Sequence, residues 1–282
     1  MKKKTVIIIS IIIAILVLFG LYLHYQNTKL QISNYSVIDN DIPADFDNYK
    51  IVQVSDFHNT KSKTLTCDLI EAIKEQRPDI IVLTGDLIDS NKTDVEAAIN
   101  FIKSINNVAP IYYVSGNHEA NISSYTQIKE QLAENRVVIL DNKTEVLKIN
   151  KSEINLMGID DPEMADENMV SDSEIIKSEL DRAKYNENKY SILLSHRPEL
   201  FDTYVNKGLN LILTGHAHGG QIRVPFIGGI IAPNQGFFPK YTNGMFAEGK
   251  TMMIVSRGIG NSILPFRINN RPELVIITLN NN

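Results

Sequence analysis

The distribution of apolar positions divides the chain into a basic start, one long apolar run and a body in which short apolar segments recur. Residues 2–4 are lysines, and the run 5–23 that follows carries no charged residue and no proline. As a helix, this run would be about 28 Å long at roughly 1.5 Å per residue, close to the hydrocarbon thickness of a bilayer. The pattern therefore predicts a single transmembrane anchor over residues 5–23.

The lysines set the predicted orientation, because basic residues that flank a membrane span stay on the cytoplasmic side. Residues 1–4 then form a cytoplasmic tail, and the chain beyond the anchor lies on the extracytoplasmic side of the cell membrane. A cleaved signal peptide is the alternative interpretation. Such peptides usually have a shorter apolar run and a small-x-small cleavage site, and no good site follows Gly20. An uncleaved anchor is therefore preferred.

Residues 24–45 are polar and mixed, and we predict that they form a linker with an edge strand at SNYSVI. From residue 46 to 282, apolar runs of strand length alternate with apolar residues at helical spacing. Strands are predicted at 51–55, 79–84, 111–115, 137–140, 145–149, 153–158, 191–195, 211–214, 221–224, 251–256 and 274–279.

The order of these elements predicts one α/β domain over residues 46–282. Strands and helices alternate in the first half, which indicates βαβ units and parallel strands. The second half is predicted to add mostly antiparallel strands. Two sheets packed together with helices outside would accommodate both halves.

Cysteine content and charge exclude several classes of protein. Cys67 is the only cysteine, so the chain forms no internal disulfide and no cysteine-rich zinc module. It lies in an apolar helical pattern and is expected to be buried. The net charge of −5 and the absence of tryptophan argue against nucleic acid as a bulk partner, since phosphate binding requires basic patches.

Candidate chemistry lies at the ends of the predicted strands. Five of the six histidines follow apolar runs at predicted strand ends, two of them close to Asp or Asn, and glycines flank several of them. Because ligands bind at the carboxyl ends of the strands in α/β sheets, residues far apart in sequence are expected to converge there. The residues concerned are Asp56, His58, Asp86, Asn117, His118, His196, His216 and His218.

These residue types indicate which metals would bind. Imidazoles with carboxylates and an amide oxygen suit first-row divalent ions such as Mn, Fe or Zn, whereas Ca and Mg prefer oxygen ligands alone. The ligands are too many for one tetrahedral zinc ion, and they suffice for two ions that share a carboxylate. Two such ions are typical of phosphoryl-transfer sites.

The order of these motifs resembles the signature of the calcineurin-like metallophosphoesterases: Asp-x-His, Gly-Asp-x-x-Asp, Gly-Asn-His-Glu, His and Gly-His-x-His. The resemblance covers about residue 50 to the carboxyl terminus. The anchor, SHRPE around His196, GHAHGGQI and SRGIGNSILPFRINNRPEL resemble a membrane-associated bacterial branch. The matching motifs are Asp56-Phe57-His58, Gly85-Asp86-Leu87-Ile88-Asp89, Gly116-Asn117-His118-Glu119, His196 and Gly215-His216-Ala217-His218.

The resemblance implies a fold, an activity and a role for each residue. The fold would be a four-layer α/β-β/α sandwich of two mixed sheets, preceded by the transmembrane helix. The enzyme would be a metal-dependent phosphoric ester hydrolase in which a hydroxide that bridges two ions attacks phosphorus in line. The ions would be held by Asp56, His58 and His218 and by Asn117, His196 and His216, with Asp86 bridging, His118 protonating the leaving oxygen and Asp89 orienting His118.

The substrate class stays open between a phosphomonoester and a phosphodiester, lipid-linked or nucleotide-linked. A pyrophosphatase of the UDP-diacylglucosamine hydrolase type is the alternative enzyme, and a non-catalytic metal-binding scaffold is the alternative outside enzymes. A metallo-β-lactamase-type hydrolase would require a compact HxHxDH run, which is absent.

Several other features have predicted roles. The apolar loop 224–238 is expected to pack as a lid on its own sheet or, alternatively, to touch the membrane or an acyl chain. Glu119 is expected to brace a loop, and the acidic run 160–167 is expected to be a solvated loop. Arg197 is expected either to stack on the surface or to bind phosphate, and Arg257 and Arg267 are expected to form a phosphate-binding edge.

Overall fold

The computed structural model describes residues 2–165, 170–205, 207–261 and 264–282. The α-helices are α1 Lys2–Thr28, α2 Lys63–Gln76, α3 Val95–Ile105, α4 Asn117–Ala120, α5 Tyr125–Glu134, α6 Asp172–Arg182 and α7 Phe201–Tyr204. The strands are β1 Gln31–Ile38, β2 Tyr49–Val54, β3 Ile80–Thr84, β4 Ile111–Val114, β5 Val137–Ile139, β6 Lys143–Ile149, β7 Ser152–Gly158, β8 Ser191–Leu194, β9 Leu211–Thr214, β10 Arg223–Val224, β11 Gly228–Gly229, β12 Ile231–Ala232, β13 Gly236–Phe237, β14 Gly244–Glu248, β15 Thr251–Val255 and β16 Glu273–Asn280.

Helix α1 stands apart from the body for most of its length. Its apolar side chains are exposed, and over residues 3–28 it is long and apolar enough to cross a membrane. Its last turns contact the domain, where the Gln26 side chain is buried. The chain then enters β1, so much of the segment predicted as a linker, 24–45, is folded into helix and strand.

The first sheet has the order β1-β16-β2-β3-β4-β5. Strands β2 to β5 are parallel to one another, as the predicted βαβ units require. The carboxyl-terminal strand β16 is inserted between β1 and β2, parallel to the former and antiparallel to the latter. The sheet is therefore mixed, and the carboxyl ends of β2, β3 and β4 share one edge.

The second sheet has the order β14-β15-β9-β8-β7-β6. Its four central strands, β15, β9, β8 and β7, are parallel, and only the outer pairs are antiparallel. The prediction of mostly antiparallel strands in this half is therefore wrong for the centre of this sheet, although its outer pairs and the hairpins β10–β11 and β12–β13 are antiparallel. Helices α6 and α7 each connect two neighbouring strands, and such crossovers bring those strands parallel.

Alternation along the strands creates the layers, because neighbouring residues in a strand face opposite sides. Ile51 of β2 packs between the sheets with Ile192 and Leu211 of the second sheet. Val52, one residue later, packs on the other side against α2, α3 and α5. The second sheet packs its outer face against α6 and α7 around Leu193. The predicted α/β fold of two mixed sheets is confirmed.

The helical periodicity of α2 corrects the expectation that Cys67 is buried. Leu65, Leu69 and Ile73 form the buried face of α2, whereas Cys67 is exposed. It lies two positions from Leu65, which places it about 200° around the helix and away from the core.

Candidate metal centre

The predicted ligands lie in loops that follow five buried strands. Asp56 and His58 follow β2, Asp86 follows β3 and Asn117 follows β4. His196 follows β8, and His216 and His218 follow β9, so both sheets contribute. The structure brings all of these side chains to the shared edge of the two sheets.

Five of these residues have a left-handed backbone conformation that side chains other than glycine rarely adopt. Asp56, His58, Asp86, His216 and His218 have φ values of 51°, 46°, 52°, 63° and 46°. Such conformations cost about 1–3 kcal/mol each and persist where the surroundings impose them, often at functional sites. This conformation lets the ligand side chains of one loop point to the same place, whereas the side chains of a strand alternate between two faces.

Two glycines allow the ligand loops to approach one another. A Cβ atom at Gly116 would lie 2.3 Å from Asp86 Oδ1, and one at Gly85 would lie 2.5 Å from His196 Nδ1. Gly85 also has a φ of +88°. A larger residue at either position would displace a predicted ligand, which explains why glycine precedes Asp86 and Asn117.

The first cluster of metal-ligating groups contains Asp56, His58, Asp86 and His218, all buried, with their ligand atoms within 4.8 Å of one another. His58 Nε2 lies 3.2 Å from His218 Nε2, and His218 Nε2 lies 3.1 Å from Asp56 Oδ1. His58 Nε2 lies 3.6 Å from Asp86 Oδ2.

The second cluster contains Asp86, His196 and His216. His196 Nε2 lies 3.2 Å from both Asp86 Oδ2 and His216 Nδ1. Asn117 Oδ1 is buried and has no hydrogen-bond partner among the described residues. A buried amide oxygen without a partner and ring nitrogens in mutual contact fit a divalent cation between them, and Asp86 belongs to both clusters.

Burial and mutual charge control the protonation of these groups. Burial lowers the pKa of His58 to about 4 and holds the pKa of His216 well below its ordinary value, which keeps both rings neutral and able to ligate. Burial alone would raise the pKa of Asp86, but the nearby histidines hold it well below the usual range. Burial opposes protonation of His196, yet the Asp86 carboxylate raises its pKa to about 10.

Contacts behind the ligands fix their orientation. His196 Nδ1 lies 2.7 Å from the carbonyl oxygen of Thr84, so Nδ1 donates a hydrogen bond and Nε2 faces the cluster. The backbone amide of His216 donates to both oxygens of Asp56, at 3.1 and 3.2 Å. Such outer contacts select the tautomer and the angle of a metal ligand.

His118 lies beside the clusters and is partly exposed. Its Nε2 lies 4.0 Å from Asp86 Oδ2, and its Nδ1 accepts a hydrogen bond of 3.0 Å from the Ser90 amide. Asp89 Oδ1 lies 3.6 Å from the same Nδ1, beyond hydrogen-bond distance, and accepts from the amides of Asn91 and Lys92. In this structure Ser90 contacts the ring where the sequence analysis placed Asp89.

Glu119 connects the loops that carry the ligands. Its buried carboxylate accepts from the amides of Asp86, Ile88 and Gly116 at 2.9, 3.0 and 2.8 Å. Burial raises the pKa of Glu119 to about 8, and the amides of Ile88 and Gly116 oppose that rise. The contacts agree with the predicted bracing role.

Arg197 is fully buried and forms a forked ion pair with Asp161, at 2.6 and 2.7 Å. Its Nη1 lies 3.5 Å from His216 Nε2, so the pair lies directly behind a ligand. Asp161 is itself buried, which makes the prediction of a solvated loop wrong at that residue; residues 166–167 of the run lie outside the described residues. A buried guanidinium requires an opposite charge, and Asp161 supplies it.

Arg257 and Arg267 also serve internal contacts. Arg257 pairs with Glu273 at 2.8 Å. Arg267 donates to the carbonyl oxygens of Arg257 and Gly260, and its Nη2 lies 3.4 Å from His218 Nδ1. Both side chains are buried and paired within the domain, so they do not form an open phosphate-binding edge in this structure.

Three supporting residues were absent from the sequence analysis: Thr84, Ser90 and Asp161. Thr84 acts through its backbone carbonyl, which any residue would provide. The position of Ser90, directly after the Gly-Asp-x-x-Asp motif, was the only available signal for its contact. For Asp161, the usable signal was Arg197, which directly follows the ligand His196. An arginine buried beside a metal ligand requires an acidic partner.

Comparisons with known proteins agree with this geometry. The sequence profile of the calcineurin-like phosphoesterase family matches residues 49–220. The uncharacterized metallophosphoesterase YkuE of Bacillus subtilis is 31% identical over 267 residues, covering 93% of this chain and 89% of that protein. Phosphodiesterase YaeI of Escherichia coli is 27% identical over 236 residues and covers 82% of each. The solved structure of TT1561 from Thermus thermophilus has a TM-score of 0.52 at 13% identity, covering 75% of this chain and 90% of that one.

The profile match spans more than half of the chain and includes every predicted ligand, since they lie between residues 56 and 218. The chain belongs to the calcineurin-like phosphoesterase family. It is a metal-dependent phosphoester hydrolase, and the predicted family and enzyme class are confirmed. The likeness to TT1561 concerns the fold alone.

Replacing a histidine of one cluster should reduce the metal content of the chain. We expect His196→Ala to lose one of the Mn ions bound after equilibration with Mn²⁺ and gel filtration, measured by inductively coupled plasma mass spectrometry. His24→Ala is the matched control, because His24 is the one histidine outside the centre. Equal metal content in both variants would contradict the assignment of His196 as a ligand.

Glu119→Gln should destabilise the fold, because the amide group of glutamine places a donor against backbone donors. The expected loss is about 1–3 kcal/mol in the free energy of unfolding. Urea unfolding of the full chain in mild detergent measures it, with the exposed Glu134→Gln as control. A Glu119→Gln variant as stable as the control would show that the brace is dispensable.

Proposed function

We propose that this protein is a membrane-anchored phosphoesterase that holds two divalent cations and hydrolyses a phosphomonoester or phosphodiester outside the cytoplasm. The observation that carries the proposal is the pair of buried ligand clusters joined by Asp86. One ion would be held by Asp56, His58 and His218, and the other by Asn117, His196 and His216. Asp86, the one residue common to both clusters, would bridge the two ions.

The donor set supports Mn, Fe or Zn, since neutral imidazoles with carboxylates suit borderline divalent ions. When bound, the cations would supply Lewis-acid activation of water and of the phosphoryl oxygens. The chain contributes the arrangement. The carboxylates of Asp56 and Asp86 stay ionised because the nearby histidines lower their pKa, and the strained loops hold the ligands in place before substrate arrives.

His118 would be the catalytic acid. Because the Ser90 amide donates to Nδ1, the neutral ring carries its proton on Nε2, on the side that faces Asp86. That proton is suitably placed for transfer to a leaving oxygen or for a hydrogen bond to a phosphoryl oxygen. Asp89 would be a positioning residue that shapes the turn around Ser90 through the amides of Asn91 and Lys92.

Membrane attachment rests on α1. Residues 1–4 would form the cytoplasmic tail and 5–23 would cross the bilayer once, which places the catalytic domain, 46–282, on the extracytoplasmic face. The exposed apolar surface of α1 supports this arrangement, since such a surface is unfavourable in water. The name of the relative YaeI, a phosphodiesterase, supports a diester among the substrates.

His118→Ala tests the catalytic assignment. With Mn²⁺ and bis-p-nitrophenyl phosphate, we expect kcat of the full chain in detergent to fall by about 100-fold or more, because general acid catalysis typically contributes that much. The metal content should stay at the wild-type level, since His118 is not assigned as a ligand.

The control is His24→Ala, which should retain full activity. Loss of metal in His118→Ala would contradict the separation of its role from ligation. A wild-type chain that binds two ions but hydrolyses neither bis-p-nitrophenyl phosphate nor p-nitrophenyl phosphate would support the scaffold alternative instead.

A further inference from the structure

Four exposed apolar side chains lie on two short hairpins that follow the metal-binding turn. The hairpins are β10–β11 and β12–β13, and we call the four side chains the apolar rim: Phe226, Ile227, Phe237 and Phe238. Phe226 is fully exposed, and Phe237 and Phe238 are 73% and 68% exposed. The expectation that this loop packs as a lid on its own sheet is therefore wrong for these residues.

The backbone of the rim is strained without any gain in packing. Phe226 and Phe238 have φ values of 67° and 54°, a left-handed conformation that is unusual for bulky residues. Strain of this kind persists where the surroundings impose it and marks functional segments. In the rim, this conformation leaves the rings of Phe226 and Phe238 exposed on the outside of the domain.

The rim is tied to the metal centre. The Ile230 amide donates to the carbonyl oxygens of Gly220 and Ile222, and the Phe238 amide donates to that of Ile230. Gly220 lies two residues after the ligand His218. The hairpins are thus hydrogen-bonded both to each other and to the metal-binding turn.

The register of the first sheet places the outer end of α1 at the edge of the sheet where the metal centre lies. β1 begins three residues after α1 ends, and its first residue, Gln31, lies opposite Glu273. Two residues further along β16, Val275 lies opposite Gln53 of β2. Gln53 precedes the ligand Asp56 by three residues, so the anchor and the metal centre share one edge of the sheet.

Direct contacts join α1 to the segment 267–271 beside the rim. Tyr22 Oη donates to Asn269 Oδ1 at 2.7 Å, and the Asn270 amide donates to Gln26 Oε1 at 3.2 Å. Asn269 Nδ2 in turn donates to the Arg223 carbonyl oxygen at 3.1 Å. Phe226 lies three positions after Arg223, a span of at most about 10 Å, so the rim begins close to the outer end of α1.

Charge in this region also fits a lipid surface. Residues 222–247 contain Arg223 and Lys240 but no acidic residue, although the whole chain is acidic. Tyrosines such as Tyr22 and Tyr25 at the end of an apolar helix are typical of the headgroup level of a bilayer. Aromatic side chains at that level bury their rings among the lipids.

We propose that the apolar rim inserts into the bilayer that α1 crosses, and that it holds the metal centre against the lipid surface. This inference rests on the membrane attachment proposed above. α1 and the rim then form two contacts on the same side of the domain, so the domain cannot rotate freely about the anchor. Phosphoester groups at the headgroup level come within reach of the metal centre.

The absence of tryptophan from the chain provides a clean test. Phe226→Trp and Phe237→Trp each introduce a single tryptophan into the full chain, which can be excited selectively over its tyrosines. The protein is reconstituted in nanodiscs of phosphatidylglycerol and phosphatidylethanolamine, with or without dibrominated phosphatidylcholine, which quenches tryptophan within the lipid. Both rim variants should be quenched several-fold more strongly than Ile38→Trp, the matched control.

Ile38 is 60% exposed and lies at the far end of β1, on the opposite edge of the sheet. Phe19→Trp, within α1, reports on the anchor itself. If Phe19→Trp is quenched but the rim variants are quenched no more than Ile38→Trp, the insertion of the rim is wrong and the anchor stands. An unquenched Phe19→Trp would overturn both the anchor and the rim. Rim tryptophans shielded from aqueous iodide as well as from brominated lipid would show that a second copy of the chain covers the rim.

Each variant is also assayed with bis-p-nitrophenyl phosphate, a soluble ester. Wild-type turnover in the rim variants confirms that the metal centre is intact, so the quenching result then bears on the rim and not on the phosphoesterase function.

Discussion

The whole arrangement depends on groups that repel one another being held together in a buried place. Ring nitrogens of His58 and His218 lie 3.2 Å apart, and those of His196 and His216 are equally close. When the facing ring nitrogens are deprotonated, as metal ligation requires, their lone pairs repel one another, and the two buried carboxylates Asp56 and Asp86 add negative charge. A bound cation converts this repulsion into coordination, so metal binding is expected to contribute directly to folding stability.

The fold provides the contacts that hold these ligands together against their mutual repulsion. Parallel strands in both sheets end at one edge, which delivers ligands from five separate loops without a long connection. Glu119 bonds two of those loops together, and the buried Arg197–Asp161 pair supports His216 from behind. Left-handed backbone at five ligands costs about 1–3 kcal/mol each, a cost that the packed sheets and the cation must offset.

Much of this could be predicted from the sequence because strand ends and ligands coincide in it. Five of the predicted strands end at ligands, so locating those strands also located the centre. The parts that failed depend on tertiary context. The exposure of Cys67 follows from which face of α2 meets the sheet, the burial of Asp161 from a partner 36 residues away, and the Ser90 contact from a turn whose geometry leaves Asp89 too far. In sequence, the apolar loop 224–238 fits either a lid or a membrane contact, and only the structure shows that the rim side chains are exposed.

The most direct measurement of the central claim is an anomalous difference map from crystals of the Mn-loaded protein, collected above and below the Mn absorption edge. The account predicts two peaks about 3.5–4 Å apart, the separation typical of two-metal sites, with Asp86 between them. The first peak should contact His58 and His218, and the second should contact His196 and His216. A single peak, or none at this edge of the sheets, would contradict it.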